Sequence, residues 1–152
     1  MIVRIVLFIA VNFAALVLGG LFTETGVTSE WYLGLSKAPW TPPGWVFGAA
    51  WTTIMICFAI YMASAMEKVA NTKKLLALFS IQWVLNVLWN PVFFYFHYMT
   101  AALIIIVALT MLIAGFLFRY GTVMQFKSVL LVPYFIWLLI ATSLNAYIWW
   151  YN

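Results

Sequence analysis

The chain has 152 residues, 68% of them hydrophobic and only 7% charged, with a net charge of +4. A water-soluble domain carries about 25% charged residues, so this composition excludes a surface covered by polar groups and makes lipid the solvent for most of the chain. The lone Cys57 excludes an internal disulfide, and the absence of aspartate excludes Ser/His/Asp catalysis.

Five continuous apolar runs are long enough to cross a bilayer as helices: about residues 2–22, 44–66, 75–96, 100–118 and 126–149. Continuous runs, without alternation of period two, exclude a barrel. The first run is too long for a signal-peptide core and lacks a small-residue cleavage site after it. The expected fold is an all-α integral membrane protein, a single domain over 1–152 built as a five-transmembrane-helix bundle.

Between the first two runs lies a lid loop, about residues 23–43, whose stretch Trp31–Trp51 holds four of the nine tryptophans and three of the five prolines. Trp31, Tyr32, Trp40 and Trp45 suit the membrane–water interface, where aromatic rings collect. Trp51 falls about two turns inside the second span, too deep for that belt, so its indole N–H needs a partner. Pro42-Pro43 stands where a helix begins and missing N–H groups cost least, which stiffens the approach to that span.

The third span carries Gln82, Asn86 and Asn90 at steps of four, with Trp89 beside them. They form one polar stripe that must face other helices or a cavity; interhelical hydrogen bonding and ligand contact are both open readings. The fourth span has a single polar residue, Thr110, and faces lipid widely. A loop is expected over Arg119–Gln125, which contains Gly121, a natural helix terminator. In the fifth span Pro133, Trp137, Ala141 and Asn145 again fall at steps of four. Pro133 removes a backbone donor and is expected to free the Val129 carbonyl. Trp137 followed by Ala141 makes a flat wall with a gap beside it, or an ordinary close-packing site.

Arg4, Lys68, Lys73, Lys74, Arg119 and Lys127 fall on one side of a five-span topology, and only Lys37 on the other. Basic residues mark the cytoplasmic side, so the N-terminus is expected in the cytoplasm and the C-terminus outside. The scattered bases fit this role better than nucleic-acid binding. Glu24, Glu30 and Glu67 make no carboxylate pair, and the single His97 with a membrane-embedded Cys57 makes no metal site.

Three ordered blocks then carry a resemblance. They are Trp31, Tyr32, Leu35, Lys37, Pro39, Trp40, Pro42, Pro43, Phe47 and Trp51; Gln82, Leu85, Asn86, Trp89, Pro91, Phe93 and Phe94; and Pro133, Tyr134, Trp137, Ala141, Leu144, Asn145, Trp149 and Asn152. Together they resemble the tryptophan-rich sensory protein / translocator protein family (peripheral-type benzodiazepine receptors), in its bacterial form. The resemblance implies a homodimeric five-helix bundle in lipid, in the bacterial inner membrane, with the first loop as lid. It implies porphyrins, notably protoporphyrin IX and haem-related tetrapyrroles, and isoquinoline or benzodiazepine compounds as ligands, with no obligatory cofactor. Carried over by position, the ligand site would use Tyr32, Pro42, Trp51, Asn86, Trp89, Asn90, Trp137 and Ala141. Some bacterial relatives degrade protoporphyrin IX in light, for which Trp51 and Trp137 are the candidate oxidisable indoles. Transport of a tetrapyrrole or another small molecule is a third reading, to which the sequence lends neither a buried charge nor an inverted repeat. Trp150 replaces the basic residue that completes a cholesterol motif in animal members, so a cholesterol role is not expected.

Overall fold

The computed structural model describes residues 1–152. It contains helices α1 (Ile2–Gly26), α2 (Glu30–Gly34), α3 (Gly44–Lys68), α4 (Thr72–Phe94), α5 (Met99–Met124) and α6 (Val132–Tyr151), with a 3-10 segment, Gln125–Leu131, between the last two. The five long helices match the five apolar runs. Four helical stretches are long and apolar enough to cross a membrane, the last being α5, the 3-10 segment and α6 taken together.

Several sequence boundaries shift: α1 runs to Gly26, into the stretch read as lid, α4 begins at Thr72 and α6 at Val132, and two further shifts have clear physical reasons. Gly121 does not end its helix: α5 continues to Met124. A glycine costs only about 1 kcal/mol in a helix interior, and Tyr120 and Met124, both buried, pin this last turn to the core. The reversal falls at Gln125, whose φ is +50°. At the other end of the fold, α4 stops at Phe94 instead of 96, because the Pro91 carbonyl accepts from both Tyr95 and Phe96 N–H, at 3.0 and 2.9 Å, and His97 turns the chain at φ +56°.

Neighbours in the bundle are not always neighbours in sequence. α1 packs against α3 and α4, α4 against α5, α5 against α6, and α6 against α3, whereas α3 and α4 touch little. The ring order is therefore α1, α3, α6, α5, α4. Arg4 lies 3.4 Å from Glu67, which joins the start of α1 to the end of α3 at the basic end of the bundle. The opposite end carries α2 and the rest of the lid.

Polar side chains fasten α1. The Asn12 amide donates to the Met55 carbonyl at 3.0 Å, and the Trp83 indole donates to the Val11 carbonyl at 2.9 Å. Close backbone approach does the rest. A Cβ at Gly19 would sit 2.6 Å from Asn90 Nδ2, and one at Gly26 would sit 2.5 Å from Phe94 Cβ; at Gly20 it would meet nothing. Gly26→Ala is therefore expected to destabilise the bundle by ~1–3 kcal/mol, the usual cost of overpacking, while Gly20→Ala costs nothing. Thermal unfolding of both variants in detergent checks the contrast.

Candidate functional site

α4 and α6 run in the same direction, from the basic end to the lid end, and α3 runs against them. Two side-chain hydrogen bonds join α4 to α6. Deeper in the membrane, Gln82 Nε2 donates to Tyr134 Oη at 2.7 Å; nearer the lid, the Trp89 indole donates to Asn145 Oδ1 at 3.2 Å. Asn145 is itself fixed by donating to the Ala141 carbonyl at 3.0 Å. These pairs make a floor and a ceiling. Between them come Asn86 on α4 and Trp137 on α6, one turn beyond Gln82 and Tyr134, and Ala141 a turn further along α6.

α3 supplies the facing aromatics. Phe47 meets Trp137 edge to face with centroids 5.2 Å apart, and Trp51 meets Tyr134 likewise at 6.0 Å. A spacing of four on α3 and of three on the antiparallel α6 gives these two successive rungs. The Trp51 indole makes no hydrogen bond within the protein, so the partner its depth demands is not supplied by a neighbouring helix. Beside this wall a cavity of about 350 Å³ opens between α3 and α6, lined by Val46, Ala49, Ala50, Thr53, Ile54, Pro133, Ile136 and Trp137.

The polar atoms here divide sharply. Trp137 is 6% exposed, and its Nε1 is buried without a hydrogen-bond partner. The Asn86 side chain, 8% exposed, also makes no hydrogen bond. An unpaired buried donor costs about 1–3 kcal/mol, so the Trp137 N–H gains from an incoming acceptor, and the free Asn86 amide can add a second contact. The other buried orphan at this level is Gln82 Oε1.

Asn90 sits differently. Its Oδ1 accepts the Thr23 hydroxyl at 2.7 Å, and its Nδ2 donates to the Asn86 carbonyl at 3.1 Å and reaches the Val87 carbonyl at 3.5 Å. Pro91 cannot donate to that Val87 carbonyl, so the Asn90 amide covers the gap while facing α1. The expected free carbonyl of Val129 is not free either: Pro133 lies in the first turn of α6, and Val132 N–H donates to Val129 O.

The lid holds Tyr32 and Pro42. It is not all loop, because Ser29 Oγ accepts from Tyr32 N at 3.2 Å and caps the short helix α2. Trp31 stacks on His97 at 3.9 Å and meets Phe93 edge-on at 5.5 Å, which makes it a packing residue. Trp40 donates to Ser143 Oγ at 3.1 Å. Trp45, 75% exposed, suits the belt, and Trp150, 73% exposed, is open in the same way. Pro42 is half-buried, with Pro43 as the N-cap of α3. Tyr32 packs on Phe94 at 5.5 Å.

Burial raises the Tyr32 phenol above its ordinary value. The packed lid thus favours the neutral phenol. That contribution is whole below the ordinary tyrosine value of about 10 and is lost as the pH rises through the raised one. Lid release at alkaline pH, followed by tryptic cutting at Lys37, is the expected outcome. Tyr32→Phe should remove the pH dependence.

The Trp149 indole donates to Thr100 Oγ1 at 2.9 Å and so closes α6 onto α5. Sequence reasoning missed the Gln82–Tyr134 bond that forms the floor. Its signal was present, a glutamine and a tyrosine each on an inward stripe, but the pairing of helices four and six was not.

A profile of the TspO/MBR family matches residues 7–151. The chain is 34% identical to the "Tryptophan-rich sensory protein" of Cereibacter sphaeroides over 116 residues, covering 76% of this chain and 73% of that one. It is 31% identical to "Protein CrtK" of Rhodobacter capsulatus, covering 92% and 89%, and 32% identical to the human "Translocator protein", covering 79% and 73%. With its five long apolar helices and its inward stripes of tryptophan and asparagine, this integral membrane protein belongs to the TspO/MBR family.

Proposed function

We propose that the protein is a receptor-type membrane protein that binds a flat, largely apolar ligand, a porphyrin such as protoporphyrin IX, between α3, α4 and α6. One observation carries this reading: the Trp137 indole N–H is buried and unpaired beside an aromatic wall, at the depth where Asn86 also has no partner. Trp51, Phe47 and Trp137 offer faces and edges to a conjugated ring, each aromatic pair worth about 0.5–1.5 kcal/mol beyond burial. Asn86 and Trp137 meet a ligand carbonyl or carboxylate. Trp89, held by Asn145, bounds the ligand toward the lid, and Ala141 leaves room for it. Tyr32 and Pro42 close the site from the lid, and Lys37 attracts acidic substituents. Isoquinoline and benzodiazepine compounds, flat rings with a carbonyl, fit the same description. Asn90, committed to Thr23 and to its own helix, acts through the seating of α1.

The names of the relatives, sensory protein and translocator, agree with a protein that registers or carries a small molecule. The basic end is read as cytoplasmic in a bacterial inner membrane, which a C-terminal reporter checks. A homodimer is part of the reading: α5 exposes Ala108 and Gly115 one heptad apart, and small residues let a second helix approach. Titration with protoporphyrin IX in the dark tests the proposal. A shifted Soret band with quenched tryptophan fluorescence at micromolar ligand is expected; no change in either would overturn it.

A further inference from the structure

The lid is fixed near its middle by a side chain from the far end of the sequence. Ser36 N–H donates to Asn152 Oδ1 at 2.9 Å, and Asn152 Nδ2 donates back to Ser36 C=O at 3.2 Å. The second amide proton of Asn152 goes to the Ile148 carbonyl at 2.9 Å, which ties the carboxamide to α6. One side chain thus imitates a strand, pairing with both main-chain groups of a single lid residue. The Ser36 hydroxyl takes no part.

Holding Ser36 also holds its neighbour Lys37, whose Nζ lies 4.6 Å from the centroid of the Tyr32 ring and 3.5 Å from the Leu33 carbonyl. The other side of Tyr32 rests on Phe94. The ring is therefore bounded by the ammonium of Lys37, whose neighbour Ser36 Asn152 holds, and by an aromatic on α4. Trp31 on His97 and Trp40 on Ser143 anchor the lid on either side of this clamp. The clamp differs from them in kind. It consists of hydrogen bonds alone, at an exposed position where water can replace them, while Trp31 packs on His97 and Phe93 and Trp40 adds a ring contact with Tyr147 to its hydrogen bond.

We propose that Asn152 is the latch of the lid: a positioning residue that, through the Ser36 backbone and Lys37, holds Tyr32 over the site and sets how fast a bound ligand leaves. This rests on the reading of Tyr32 as a lid residue over a ligand site. Because the latch recognises main chain, its loss and the loss of the Ser36 side chain must behave differently. Asn152→Ala should raise the dissociation rate of protoporphyrin IX about tenfold, the effect of removing two modest hydrogen bonds, with little change in the association rate. Ser36→Ala should leave both rates as in the wild type. Asn152→Asp, which keeps the acceptor and loses the donors, should release ligand as fast as Asn152→Ala.

Stopped-flow displacement in the dark reads these rates. A wild-type dissociation rate in Asn152→Ala, or a fast one in Ser36→Ala, would overturn the latch. Should the wild type bind no porphyrin, the ligand reading fails while the latch stays testable in the ligand-free protein. Trypsin should then cut after Lys37 several-fold faster in Asn152→Ala than in the wild type or in Ser36→Ala. Equal cutting in all three would overturn it.

Discussion

Trp137→Phe should lower affinity for protoporphyrin IX about tenfold and leave the stability of the free protein nearly unchanged. The two readouts part because the indole N–H has no partner in the unliganded protein. Removing it relieves an orphan donor, worth about 1–3 kcal/mol. The smaller ring leaves a void whose cost, at about 24 cal/mol per Å³, is of similar size and opposite sign. The bound state has no such compensation, since the ligand acceptor loses its donor. Trp137→Ala removes the wall altogether and should cost stability as well, about 3–5 kcal/mol. Equilibrium unfolding in detergent beside a fluorescence titration measures both quantities. A Phe variant that binds like the wild type would show that the indole N–H does not meet the ligand.

The second large effect lies at the floor. Tyr134→Phe is expected to destabilise the bundle by ~1–3 kcal/mol, because Gln82 would then keep a whole carboxamide buried with no partner; its Oε1 has none already. Gln82→Leu should cost less, since it removes that orphan oxygen while stranding only the Tyr134 hydroxyl. The double variant should recover most of the loss, because two apolar groups replace a pair. Additive losses in this cycle would mean that the 2.7 Å bond contributes nothing of its own. Trp51 lies against Tyr134, so the single variant should also perturb ligand affinity.

Much of this could be read from the chain. The five spans followed from length and hydropathy alone, since each had to satisfy its backbone inside lipid. The stripes at steps of four put Asn86, Trp137 and Ala141 on inward faces, where the structure has them buried. What was not legible was which faces meet. Asn90 shared its stripe with Asn86, yet the two lie one turn apart against different partners, because Pro91 opens a carbonyl that the nearer amide covers. Helix ends failed in the same way. Gly121 reads as a stop by local propensity, but burial of Tyr120 and Met124 outweighs about 1 kcal/mol of helix preference. Gly19 and Gly20 are adjacent in the first span, yet only Gly19 makes a close contact. Each of these depends on a partner distant in sequence, which periodicity within one helix cannot name.

The ring order of the helices has a consequence for synthesis. α3 and α4 are consecutive in the chain but touch little, and α6 is the helix that stands between α3 and α5. Until α6 leaves the ribosome, the α3 aromatics Phe47 and Trp51 and the α4 carboxamides of Gln82 and Asn86 have nothing to face across the interior. A nascent chain stopped before Val132 therefore holds four inserted spans and an unfinished cleft, open to lipid along one side. α6 and the residue after it bring Tyr134, Trp137, Ala141, Asn145 and Asn152 to the cleft and the lid in a single step.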